Sequence, residues 1–169
     1  MNKQTNFVID KILETKSKSV LNVGYRHDSD TTIQKFCDLN DIEWNVIEIW
    51  KENCDFLKQN NICQNVFNED VKNIKNINKK FDAIIWLHGP EHVKWSDFLA
   101  FRQDLEDCSN KIILYQAPEG EYPQESLYGN PFEQHVETLF EKQFSEIGYE
   151  TNNFIDFGEK TFSAWKTFN

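Results

Sequence analysis

The run FDAIIWL, Phe81 to Leu87, restricts the fold more than any other stretch. It is apolar almost without interruption, seven residues long and rich in β-branched and aromatic side chains. A strand of this kind must be covered on both faces, which is the situation of a central strand in a parallel sheet between two helical layers. That reading predicts helices before and after it, and the sequence supplies them.

Helical and strand-like segments alternate from the N-terminus to Pro118. The spacing of Phe7, Ile9, Ile12 and Leu13 in NFVIDKILET predicts a helix within residues 1–17. KSVLNVG then gives a first strand ending at Gly24, and residues 29–39 read as a helix with Asp28 or Ser29 as its N-cap. EWNVIEIW, residues 43–50, is a second strand, followed by a helix near residues 53–59 and a weak strand near 62–67. After the central strand come a turn, a helix carrying Phe98, Leu99, Phe101 and Leu105, and the strand KIILYQAP. Residues 118–134 form a loop rich in Gly, Pro and Tyr, and a helix is expected over 135–147, ending at an αL cap on Gly148. Two strands joined at Gly158 and Glu159 close the chain. The sum is a single α/β domain over residues 1–169: a doubly wound, seven-stranded, mostly parallel sheet with a C-terminal antiparallel hairpin and helices on both faces.

A formal charge of −10 disfavours nucleic acid and anionic membrane as partners, because both reward a basic face. Lys72, Lys75, Lys79 and Lys80 are interleaved with Asn and Ile and read as a solvated linker. No apolar run reaches membrane-spanning length and MNKQTNFVID lacks a signal-peptide core, so a cytoplasmic location is expected. Cys37, Cys54, Cys63 and Cys108 form no C-x-x-C pair, so neither a zinc ribbon nor a disulfide framework is indicated.

In open parallel sheets, ligands bind beyond the carboxyl ends of the strands. Gly24, Glu48, Asp70 and His88 fall at those ends. Glu48 lies 24 residues after Gly24, close to the interval of roughly 20 at which an acid reaches ribose hydroxyls in a nucleotide-binding βαβ unit. Asp70, in NEDV, suits either an adenine amine or an Asx-turn.

VLNVG, VIEIWKEN, NEDV and FDAIIWLHGPEHV together resemble the motifs of class I S-adenosylmethionine-dependent methyltransferases, and the resemblance runs from Val20 to the final hairpin. It implies a Rossmann-like sheet, S-adenosylmethionine as cofactor, and methyl transfer to oxygen or nitrogen of a small-molecule acceptor. It also implies that Asn22, Gly24 and Tyr25 pack against the methionine part. Glu48 and Ile49 would hold the ribose, Asp70 and Val71 the adenine, and Leu87 and His88 the methyl-donor end. The chain departs from the family twice: Asn22 stands where an acid is usual, and Arg26 where a second glycine is usual. A cation at position 26 is tolerable beside a sulfonium when it turns outward, toward Asp28 or Asp30. The alternative reading is a methyltransferase-like binding or regulatory protein without catalysis.

HGPEH, residues 88–92, also matches the inverted zinc-protease pattern H-x-x-E-H. That motif needs one continuous helix, which Gly89 and Pro90 oppose, so no metal is expected unless His135 from the long loop completes a site. His92 and His135, with Glu91, are instead candidates for taking a proton from the acceptor. Tyr122, Tyr128 and Phe132 are candidates for a substrate-pocket wall, since long loops in compact domains are often functional.

Overall fold

The computed structural model describes residues 3–156 and 158–168. Its seven strands are β1 (Ser19–Val23), β2 (Glu43–Glu48), β3 (Asn65–Asn68), β4 (Phe81–Leu87), β5 (Ser109–Pro118), β6 (Glu150–Asp156) and β7 (Glu159–Thr167). They form one sheet in the order β3-β2-β1-β4-β5-β7-β6. The pairs β1–β2, β2–β3, β1–β4 and β4–β5 are parallel, whereas β7 runs antiparallel to both β5 and β6. FDAIIWL is therefore the middle strand, as its nearly unbroken apolar run requires.

Among the described residues five α-helices cover the sheet: α1 (Lys3–Glu14), α2 (Thr32–Leu39), α3 (Lys51–Gln59), α4 (Trp95–Cys108) and α5 (Glu141–Glu146). Successive strand residues face opposite layers, so the core is divided in two. Leu21, Ile47, Ile84, Trp86, Ile113 and Tyr115 pack on one side with Phe98, Leu105 and Phe144 from α4 and α5. Val20, Val46, Ala83, Ile85 and Leu114 pack on the other with Val8, Ile12, Ile33 and Cys37 from α1 and α2. All four cysteines are free. Among the described residues no helix is long and apolar enough to cross a membrane.

Several element ends differ from expectation for local reasons. The helix expected over 135–147 is confined to Glu141–Glu146. Ahead of it, the main-chain donors are taken elsewhere: His135 N bonds Gln124 O, and Val136 N and Glu137 N both bond Glu91 O. The αL stop at Gly148 is as expected, with φ +91°. Helix α2 starts at Thr32 and not near Ser29, because Asp30 Oδ1 accepts from both Thr32 N (2.9 Å) and Thr32 Oγ1 (2.6 Å). Strand β2 ends two residues early, at Glu48, whose own carboxylate captures Trp50 N at 2.6 Å. The weak third strand covers 65–68, at the sheet edge.

Gly89 is fixed by packing. A Cβ built there would overlap the indole of Trp86, a ring that is buried between β4 and α4. Gly89→Ala should therefore destabilise the protein by about 1–3 kcal/mol through overpacking, read as a lower midpoint in urea. An unchanged midpoint would mean that the indole has room to move.

Candidate active site

Strand order reverses between β1 and β4, and the loops that leave their carboxyl ends part there. The gap is a cleft of about 560 Å³. It brings together every residue named above for cofactor contact: Asn22, Gly24, Tyr25, Glu48, Ile49, Asp70, Val71, Leu87 and His88.

The β1 end is shaped by Gly24, whose φ of +78° favours glycine and whose α-carbon faces open space. Its N–H donates to Ile47 O at 2.9 Å, and Asn22 Nδ2 donates to Gly24 O at 2.6 Å, so Asn22 orders the loop it precedes. At the end of β2, Glu48 is only 6% exposed. Its two oxygens accept separately from Tyr25 N (2.7 Å) and Trp50 N (2.6 Å). Burial pushes its pKa up to about 7, with the two amide bonds opposing the rise. Asn68, which sequence reasoning missed, secures the same corner by donating to Glu48 O and Ile49 O. Asp70 accepts from Lys72 N at 2.9 Å and caps a 3₁₀ turn over Val71–Ile77, which is the Asx-type role weighed for it.

Arg26 borders the cleft with its guanidinium drawn to carboxylates. It pairs with Asp28 through Nε and with Glu133 at 3.4 Å through Nη1. Tyr128 joins this group, its hydroxyl donating to Asp28 Oδ2 at 3.1 Å. The loop after β1 is thus tied to the 118–134 loop across one side of the cleft. Glu133 and Asn130 line the cleft, and neither was singled out from sequence; NPFE carries no pattern that separates a lining acid from a solvated one.

The aromatic candidates divide. Phe132 lines the cleft, whereas Tyr128 lines an adjoining groove with His27, Trp50 and Phe56. Tyr122 lies outside both; its hydroxyl bonds Glu159 Oε1 at 2.7 Å and its carbonyl accepts from His135 Nδ1.

Beyond His88, Pro90–His92 forms one 3₁₀ turn. His92 lines the cleft, and Glu91 lies behind it, 3% exposed. His135 comes in from the long loop to meet them: its ring centroid is 4.8 Å from that of His92, and its Nε2 is 3.9 Å from Glu91 Oε1. One donor atom from each of Glu91, His92 and His135 lies within 4.8 Å of the others. Burial raises the Glu91 pKa to about 8 and holds His92 below the usual imidazole value. The single turn agrees with the argument against a continuous metal-binding helix, yet the three side chains converge without one.

An open sheet in this order, with its cleft at the strand reversal and an acid closing the second strand, has the fold of S-adenosylmethionine-dependent methyltransferases. Among solved structures, the methyltransferase domain of the bacterial protein CtHen1 superposes with a TM-score of 0.69 at 18% identity, covering 98% of this chain and 97% of that one. An S-adenosylmethionine-dependent methyltransferase from Clostridium acetobutylicum gives 0.67 at 9% identity, covering 95% and 89%. Magnesium protoporphyrin IX methyltransferase from Synechocystis PCC 6803, solved with bound S-adenosylmethionine, gives 0.64 at 10% identity, covering 98% and 78%. No protein-family model matches the sequence, and no curated protein matches it significantly. At these identities the likeness is one of fold.

Glu48 gives the ligand-free protein a pH signature. Its folded pKa is raised, so the stabilisation from its bound proton is full below about 4.5 and is lost as pH rises through about 7. Relative to Glu48→Gln, the wild type should lose on the order of 2 kcal/mol of unfolding free energy between pH 5 and 8. Parallel urea titrations of the two proteins check this; superimposable pH profiles would show that Glu48 ionises normally.

Proposed function

We propose that this protein binds S-adenosylmethionine in the cleft and transfers its methyl group to oxygen or nitrogen of a small-molecule acceptor. The observation that carries the reading is one continuous cleft joining Gly24, Glu48, Asp70–Val71 and Leu87–His88 at the strand reversal. Its volume suits a ligand of cofactor size.

The residues fit the cofactor in chemical terms. Glu48 spends one lone pair of each oxygen on a main-chain amide, which leaves acceptor sites for two ribose hydroxyls. Gly24 offers bare backbone to the methionine part. The ion pairs of Arg26 with Asp28 and Glu133 offset the charge that most favoured a non-catalytic binding protein. Once bound, the cofactor supplies an electrophilic methyl on sulfur. The acceptor's lone pair forms the new bond to that carbon, the C–S pair stays on sulfur as the thioether of S-adenosylhomocysteine, and the acceptor's proton must leave.

In this reading the methyl end faces His88 and His92, so the acceptor sits beside the Glu91–His92–His135 cluster, with Phe132 as one wall. Alignment over these groups supplies much of the rate enhancement in such a displacement. The chain's negative charge and the ties across the cleft through Arg26 and Tyr128 both support a small acceptor over a polyanion.

Calorimetry with S-adenosylhomocysteine tests the cofactor half. Ribose hydroxyls donating to Glu48 favour its ionised form, so binding should release a proton near pH 7, visible as a dependence of the measured heat on buffer ionisation enthalpy. Glu48→Gln should abolish that release and weaken binding by about 10- to 100-fold, the equivalent of roughly 1.5–3 kcal/mol for a charge-assisted hydrogen bond. No binding by the wild type would end the proposal. Binding without turnover across a panel of alcohol and amine acceptors would favour the non-catalytic alternative.

A further inference from the structure

The cluster beside the methyl end has features that a packed or merely hydrogen-bonded group would lack. Glu91 Oε2 is fully buried and has no hydrogen-bond partner. Glu91 Oε1 lies 3.9 Å from His135 Nε2 and 4.0 Å from His88 Nδ1, both too far for a hydrogen bond. A buried carboxyl group in this state is costly as an anion unless a cation reaches it, and otherwise it holds a proton.

Both imidazoles are also set for the same ligand. His92 Nδ1 lies 3.1 Å from Gln134 O, and His135 Nδ1 contacts Tyr122 O. A carbonyl only accepts, so each ring carries a proton on Nδ1, and in the neutral imidazole the lone pair is then on Nε2. A main-chain carbonyl on the second nitrogen is the support that metal-bound histidines commonly have. The scaffold is fixed as well. Val136 N and Glu137 N bond Glu91 O, and Glu137 Oε2 accepts from Trp95 N at 2.8 Å, so the strand of loop bearing His135 is stitched to the turn bearing Glu91 and His92.

We propose that Glu91, His92 and His135 bind one divalent transition-metal ion, with its remaining coordination positions open toward the cleft for the acceptor's oxygen or nitrogen. The donor atoms lie within 4.8 Å of one another. Metal–ligand bonds of about 2.0–2.1 Å set tetrahedral edges near ~3.4 Å, so side-chain shifts of about 1 Å close the site. Two imidazoles and one carboxylate favour zinc, cobalt or manganese over magnesium or calcium, which prefer all-oxygen shells. Three protein ligands with an open position is the arrangement of a reactive ion, not of a closed structural one. The proposal rests on the methyl-transfer reading for the ion's role: a coordinated hydroxyl gives up its proton to solvent near neutral pH and presents its oxygen to the methyl carbon.

The test uses protein dialysed against a chelator and titrated with Co²⁺. We expect one equivalent to bind with micromolar or tighter affinity and to give visible d–d absorption. Zn²⁺ should displace it, and Mg²⁺ should bind at least about 100-fold more weakly. His92→Gln, His135→Gln and Glu91→Gln should each weaken Co²⁺ binding about tenfold or more. His27→Gln, outside the cluster in the adjoining groove, should leave the spectrum unchanged. If burial of Glu91 makes its variant misfold, the two histidine variants still decide. Absence of saturable Co²⁺ binding by the wild type, or wild-type affinity in both histidine variants, would overturn the site. S-adenosylhomocysteine affinity of the metal-free protein is read separately. Its loss with Co²⁺ binding intact would remove the methyl-transfer reading and leave the metal site standing.

Discussion

The Glu48 carboxylate is the constraint on which the cleft depends. It sits at the last residue of β2 and takes one amide from the loop after β1 and one from the start of α3. Those two segments would otherwise end with unsatisfied donors at the rim of a buried sheet. A glutamine there would accept one of the two bonds and present a donor to the other. The acid therefore does structural work before any ligand arrives, at the cost of desolvating a charge, and that cost appears as its raised pKa. A ligand with hydroxyl donors recovers part of it. Stability of the free protein and affinity for such a ligand are thereby set by the same two oxygens.

The other side of the cleft is held by weaker ties. Arg26 reaches Asp28 and Glu133, and Tyr128 reaches Asp28, all at partly solvated positions where individual pairs contribute little. The stronger attachment of the same loop lies further along, where Val136 N and Glu137 N bond Glu91 O. Those bonds explain why α5 is short. They also explain why His135 is delivered to the turn after β4 and not placed along a helix face.

Much of the fold was legible because it follows from local pattern. A nearly unbroken apolar run must be central, and alternation of strand and helix must give parallel pairing, whereas the closing turn read at Gly158 and Glu159 lies earlier, because Glu159 already pairs with Asp156 at the start of β7. Gly24, Glu48 and Leu87–His88 followed, since strand ends in such a sheet converge at the reversal. What escaped was set by long-range contacts. The helical spacing around 135–147 was overridden by hydrogen bonds to a carbonyl more than forty residues away in sequence. Asn68 and Glu133 act through the corner they meet, and nothing in their neighbours along the chain marks that corner.

The HGPEH turn shows how one stretch can be read correctly and still incompletely. Gly89 and Pro90 do rule out a helix that would aim His88 and His92 the same way, and the structure has a single 3₁₀ turn there. Gly89 is required for a different reason, the Trp86 indole lying against it. That packing sets the turn down close to the sheet, burying Glu91 while leaving His92 at the cleft wall. The third group of the cluster, His135, comes from elsewhere in the chain, at the end of the loop whose backbone bonds Glu91 O just beyond it. The breakers that argue against a metal-binding helix are the residues of the turn at which Glu91 and His92 meet His135 from a second segment.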